Sequence, residues 1–142
     1  MMDELLMRGM PHSAEAEQAV LGSMLIDGDC VKDVMDQLQA DDFYLRQNRE
    51  IFETISSMFT YARPIDGITV CEEMQKAGTY DENTTRSYLA QLMEITPTSA
   101  NVMEYVAIVR DKALLRGVAQ AASEITAMVQ EGVGEAGDIL EA

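Results

Sequence analysis

Few side chains in this sequence are of a type that does chemistry, and none stands in a constellation that would carry it out. His12 is the only histidine. An imidazole can act as a general base, but the one nucleophile beside it is Ser13, and Pro11-His12-Ser13 reads as the approach to a helix with Ser13 as its cap. The adjacent carboxylate pairs Asp41-Asp42, Glu72-Glu73 and Asp81-Glu82 fall at expected caps and turns, where acidic residues serve backbone geometry. Cys30 and Cys71 are isolated thiols without a close Cys or His partner, so no zinc set can be drawn. Gly132, Gly134 and Gly137 follow no strand and precede no lysine, which excludes a Walker phosphate loop. These residues predict no catalytic, cofactor or metal site in the chain and point to an interaction domain.

The bulk properties agree. At 142 residues the chain fits one domain with a self-sufficient core. Twenty-five Asp and Glu against ten Lys and Arg give a formal charge of −15, which repels a phosphate backbone, so no direct DNA binding is expected. No stretch approaches the roughly 20 apolar residues of a membrane span, and the acidic start Met1-Met2-Asp3-Glu4 does not suit a signal peptide. A soluble protein of the reducing cytoplasm is expected, its two cysteines acting as small core residues.

Apolar residues recur at helical spacing throughout and no convincing period-two strand appears. The predicted fold is all-α: a compact five- to six-helix head followed by a long projecting helix and the start of a helical hairpin. Ser13 caps a first helix that runs through Leu25 or Ile26 and buries Ala16, Val20, Leu21, Met24 and Leu25, with Glu15 and Glu17 near the positive end of its dipole. Asp29 is expected to cap a short second helix with Val31, Val34, Met35 and Leu38 on its inner face. After the turn Asp41-Asp42-Phe43-Tyr44, a third helix carries Ile51, Phe52, Ile55, Met58 and Phe59. All three phenylalanines lie between positions 43 and 59, which places this helix at the centre of the core. Pro64 ends it. Thr69-Val70-Cys71-Glu72 fits a capping box for a fourth helix closed by Gly78, and Thr84 or Thr85 caps a fifth carrying Tyr88, Leu89, Leu92 and Met93. The organisation is a flexible segment over 1–12, a globular head over 13–99, and a long helix with a truncated hairpin arm over 100–142.

The last third must supply whatever surface the chain offers. After Pro97, Thr98-Ser99-Ala100-Asn101 opens a pattern that stays helical to Glu131-Gly132, roughly 45–50 Å at 1.5 Å per residue. Its first half repeats Val102, Val106, Val109 and Ala113; its second repeats Leu115, Val118, Ala122, Ile125 and Val129 on a rotated face. The three-four alternation of the second stripe suits lengthwise packing on another helix, although a buried helix of an ordinary bundle gives the same period. Arg110, Lys112 and Arg116 gather three of the ten basic residues within seven positions, either as a solvated face paired with Asp111 and Glu104 or as a patch that meets a partner. Beyond the glycine-rich connector, Asp138 would cap a helix beginning Ile139-Leu140. Four residues do not make a stable helix, so either the tail is frayed or the polypeptide continues past Ala142, and the second is the expectation.

Together these segments carry a resemblance. Pro11-His12-Ser13-Ala14-Glu15-Ala16-Glu17-Gln18-Ala19-Val20-Leu21-Gly22 resembles the opening of the N-terminal domain of the DnaB-like replicative helicases. Asp42-Phe43-Tyr44, Arg49-Glu50-Ile51-Phe52, Pro64-Ile65-Asp66, Pro97-Thr98-Ser99-Ala100-Asn101 and the run Tyr105-Val106-Ala107-Ile108-Val109-Arg110-Asp111-Lys112 follow in that family's order. Asn48 departs from a histidine common at the matching position, and the stretch after Arg116 has no further Lys or Arg. The resemblance implies a helical head with a hairpin arm, hairpins that pack in pairs, and six such domains forming a collar on a hexameric helicase. Leu115, Val118, Ala122, Ile125 and Val129, with Ile139 and Leu140 of the returning helix, would then be the subunit-packing residues. It further implies primase, through its helicase-binding domain, and a helicase loader as partners. ATP and Mg would be bound in a separate RecA-like domain. A stand-alone acidic regulator that binds a replication protein is the second reading of the same chain.

Overall fold

The computed structural model describes residues 9–132. Among these residues six α-helices follow one another: α1 (Ala14–Ile26), α2 (Val31–Gln37), α3 (Arg46–Thr60), α4 (Gly67–Ala77), α5 (Thr85–Glu94) and α6 (Val102–Glu131). Single 3-10 turns over Gly28–Cys30 and Ala40–Asp42 lead into α2 and toward α3. No strand occurs among the described residues, and the fold class is all-α as the periodicity required.

The head is organised around α1, which packs against α3, α5 and the first half of α6. Its Val20, Leu21 and Met24 are completely buried, with Val31, Phe43, Ile55, Val70, Leu89 and Leu92 around them. Each such side chain contributes about 1.5–3 kcal/mol on leaving water. Phe43 and Phe52 meet with ring centroids 4.8 Å apart, in the tilted geometry aromatic pairs prefer. Phe59, expected in the core, is instead 37% exposed; in the last turn of α3 it is Met58, one residue before it, that faces the core. Gly22 of α1 lies tightly against the end of α5. A Cβ there would lie 2.6 Å from the carbonyl oxygen of Leu92 and 2.1 Å from Oγ1 of Thr96, so only glycine allows this approach.

Two helix starts differ from expectation by a few residues. Ser13 does cap α1, its Oγ accepting from the amide of Ala16 at 3.1 Å. The cap after α1, however, is Asp27, which accepts from the amide of Asp29 at 3.0 Å and also from the hydroxyl of Ser99 at 2.7 Å; α2 itself starts without a side-chain cap. The capping box of α4 is formed by Asp66 and Thr69, not Thr69 and Glu72: Asp66 Oδ1 accepts from the amides of Ile68 and Thr69, and Thr69 Oγ1 accepts from the amide of Asp66. Gly78 ends α4 in the left-handed region at φ 78°, as its position suggested.

Candidate functional site

The 30 residues of α6 divide into two unlike halves. Val102, Val106 and Val109 are buried against the head. Beyond them Leu115, Val118, Ile125 and Val129 are 51, 67, 38 and 62% exposed, and Ala122 is exposed among them. Val109 and Val118 are nine residues apart, about two and a half turns, so the two stripes face opposite sides of one helix. The second stripe therefore points away from the surface that the first one covers. Leu114, at 61% exposed, flanks it. The stripe predicted for subunit packing is thus intact, apolar and uncovered within the described residues; Ile139 and Leu140 lie outside them.

Of the three basic residues, Arg110 and Arg116 make separate contacts within the chain. Arg110 Nη1 donates to Oε1 of Gln37 at 2.8 Å, tying α6 to α2. Arg116 donates from Nη1 to the carbonyl of Pro11 at 2.8 Å and from Nη2 to the carbonyl of Asp42 at 2.6 Å, and its Cζ lies 5.5 Å from the centroid of the Tyr44 ring. Lys112 is half-buried. The four ion pairs among the described residues are Lys32–Asp36, Arg46–Glu50, Arg63–Glu73 and Lys76–Glu73, none of which involves Glu104 or Asp111. The guanidinium groups of Arg110 and Arg116 are engaged within the chain.

A polar centre that local spacing does not announce lies beneath Tyr44. Glu17 is 1% exposed. Its carboxylate accepts from the amides of Tyr44 at 2.8 Å and Leu45 at 3.3 Å and from Nδ2 of Asn48 at 2.9 Å. Asn48, also fully buried, accepts in turn from the hydroxyl of Tyr88. Burial pushes the Tyr88 phenol above its ordinary value, and the nearby Glu17 charge adds to this. A charge at this depth persists only with such a set of donors. Asn48 thus has a structural task in this chain.

Nothing among these groups forms a catalytic set. His12 is placed by packing: its ring stacks on Tyr44 at 4.2 Å between centroids, and Nδ1 lies 2.8 Å from the carbonyl oxygen of Met10. These contacts and that of Pro11 hold residues 10–12, part of the stretch set apart as a flexible segment; residues 1–8 lie outside the described residues. The Cys30 thiol is pushed up to about 11, first by burial and then by Asp27, and Cys71 is raised by burial, so neither is poised as a nucleophile. Among the described residues no group of His, Cys, Asp and Glu is arranged to hold a metal ion, and no helix is long and apolar enough to cross a membrane.

A head of packed helices whose last helix runs on as an arm with an uncovered apolar stripe defines an all-α domain of the head-and-arm type. Residues 9–111 match the family described as DnaB-like helicase N terminal domain, and the chain belongs to that family. It is 37% identical over 133 residues to the replicative DNA helicase DnaB of Leifsonia xyli subsp. xyli, covering 94% of this chain and 29% of that protein. To the DnaB of Pasteurella multocida it is 37% identical over 132 residues, covering 92% and 28%. The chain thus spans less than a third of the length of these relatives. Its structure superposes on the crystal structure of the N-terminal domain of DnaB helicase from Mycobacterium tuberculosis with a TM-score of 0.87 at 30% identity, covering 93% of both chains. It shares its fold with the N-terminal domain of DnaB helicase from Helicobacter pylori, described with its interactions with primase, at a TM-score of 0.71 and 22% identity, over 81% of this chain and 89% of that one.

Proposed function

We propose that this chain is the non-catalytic assembly and docking domain of a hexameric replicative DNA helicase. The seam Leu115, Val118, Ala122, Ile125 and Val129 packs against the same seam of a second copy, and pairs of such domains build the collar of the ring. The observation that carries this reading is the continuation of α6 past the head with a regular apolar stripe turned away from it. A packed helical seam of this kind is stabilised by removing its apolar surface from water, a gain unavailable to the single chain. The primase helicase-binding domain, as the H. pylori relative suggests, and a helicase loader are the partners that this assembly serves. ATP and Mg chemistry belongs to the motor region of the whole helicase, and the setting is the cytoplasm.

Sedimentation velocity tests the reading. The wild-type chain self-associates with rising concentration, and Ile125→Asp abolishes this while the far-ultraviolet dichroism stays unchanged. A wild-type chain that stays monomeric throughout, or an Ile125→Asp chain that loses helicity in the head, overturns it. Titration with a purified primase helicase-binding domain tests the docking role, for which heat of binding is expected.

A further inference from the structure

Val109 is the last buried apolar residue of α6, yet the helix is tied to the head seven residues later. Arg116 stands about two turns beyond Val109 and so on the same side of the helix. Its guanidinium fork joins two segments that are 105 and 74 residues away in sequence, the approach to α1 at Pro11 and the turn before α3 at Asp42. Tyr44, over which the guanidinium lies, is itself immobilised: its amide donates to Glu17, its carbonyl accepts from Nη1 of Arg49 at 2.8 Å, and its ring stacks on His12. The anchor point on the head is therefore built into the buried polar centre.

The next residue is Gly117. It lies inside the helix, and no atom outside its own helical turns comes within 4 Å of where a Cβ would stand. Packing therefore does not require glycine at this position, whereas glycine in a helix interior makes that turn easier to deform. A fixed point and a soft point thus stand side by side, at the boundary between the half of α6 that belongs to the head and the half that carries the seam.

We propose that Arg116 and Gly117 form a two-part hinge, in which Arg116 clasps the base of the arm to the head and bending of α6 is concentrated at Gly117. The arm then changes its attitude without unpacking Val102, Val106 and Val109. The hinge is a property of the single chain and holds whether or not the seam meets a second copy.

The test places spin labels at Gln75 on α4 and Gln130 near the end of α6, both exposed, in a chain whose Cys30 and Cys71 are replaced by alanine. The labelled chain is diluted with unlabelled chain so that only distances within one molecule are read. Pulsed electron resonance then gives the spread of head-to-arm distances. Gly117→Ala narrows this spread, Arg116→Ala widens it, and Arg116→Lys, which keeps the charge but loses the fork, also widens it. In the otherwise native chain, Gly117→Ala slows amide exchange over residues 118–121 about fivefold, the factor matching the ~1 kcal/mol difference between glycine and alanine in a helix interior. An unchanged spread in either Gly117→Ala or Arg116→Ala, or unchanged exchange over 118–121, overturns the hinge. A wild-type chain that stays monomeric at every concentration, with the spread behaving as stated, overturns the assembly role and leaves the hinge standing.

Discussion

The two halves of α6 have the same local structure and opposite fates. Both are regular helix with an apolar stripe of three-four spacing, yet Val106 is 2% exposed and Val118 is 67% exposed. Helix formation by itself does not decide what a stripe is for; its phase relative to the rest of the chain does. The nine-residue offset between the stripes turns the second one away from the head, so a single helix joins a surface that completes a fold to a surface that the head leaves uncovered.

Matched substitutions break this comparison most sharply. Val106→Asp forces a carboxylate into the core at several kcal/mol, a large part of the stability of a domain this size, and the chain is expected to be unfolded by circular dichroism at 25 °C. Ile125→Asp leaves the monomer's thermal midpoint in place. Equal damage from both would mean that the distal stripe belongs to an intramolecular core. Next in size is Glu17→Gln, which presents one acceptor where a carboxylate meets three donors; a loss of about 2–3 kcal/mol in urea unfolding is expected, all of it in the head. Asp66→Ala removes the cap of α4 and lowers stability by about 1 kcal/mol. Lys32→Ala, which breaks an ion pair between two exposed side chains, lowers stability in urea unfolding by no more than about 0.5 kcal/mol.

Much of this was legible in the residues. Among the described residues periodicity located the six helices, the inner faces of α1, α2 and α5, and the first stripe of α6, because burial imposes the helical repeat directly on the choice of side chain; the second stripe of α6 shows the same repeat although the head leaves it uncovered. Caps were less legible, since Asp27 and Asp29, or Asp66 and Thr69, have equally suitable side chains, and the backbone angles that decide between them depend on the connecting turn. Glu17 was hidden by its own plausibility as a first-turn acid. One signal did exist: it stands three, four and seven residues before Val20, Leu21 and Met24, on the buried face, where an acid needs partners. Arg116 offered no such signal. Its acceptors are backbone carbonyls of distant segments, and carbonyls carry no mark in the sequence.

Tyr44 has an optical consequence. The chain contains no tryptophan and five tyrosines, so its near-ultraviolet dichroism arises from phenol and phenyl rings held in asymmetric surroundings. Tyr61, at 75% exposed, contributes little to such a signal, whereas Tyr44 is locked between an imidazole contact and a guanidinium group. Opening of the base of the arm therefore changes the spectrum of the unlabelled protein, and the native chain carries its own reporter.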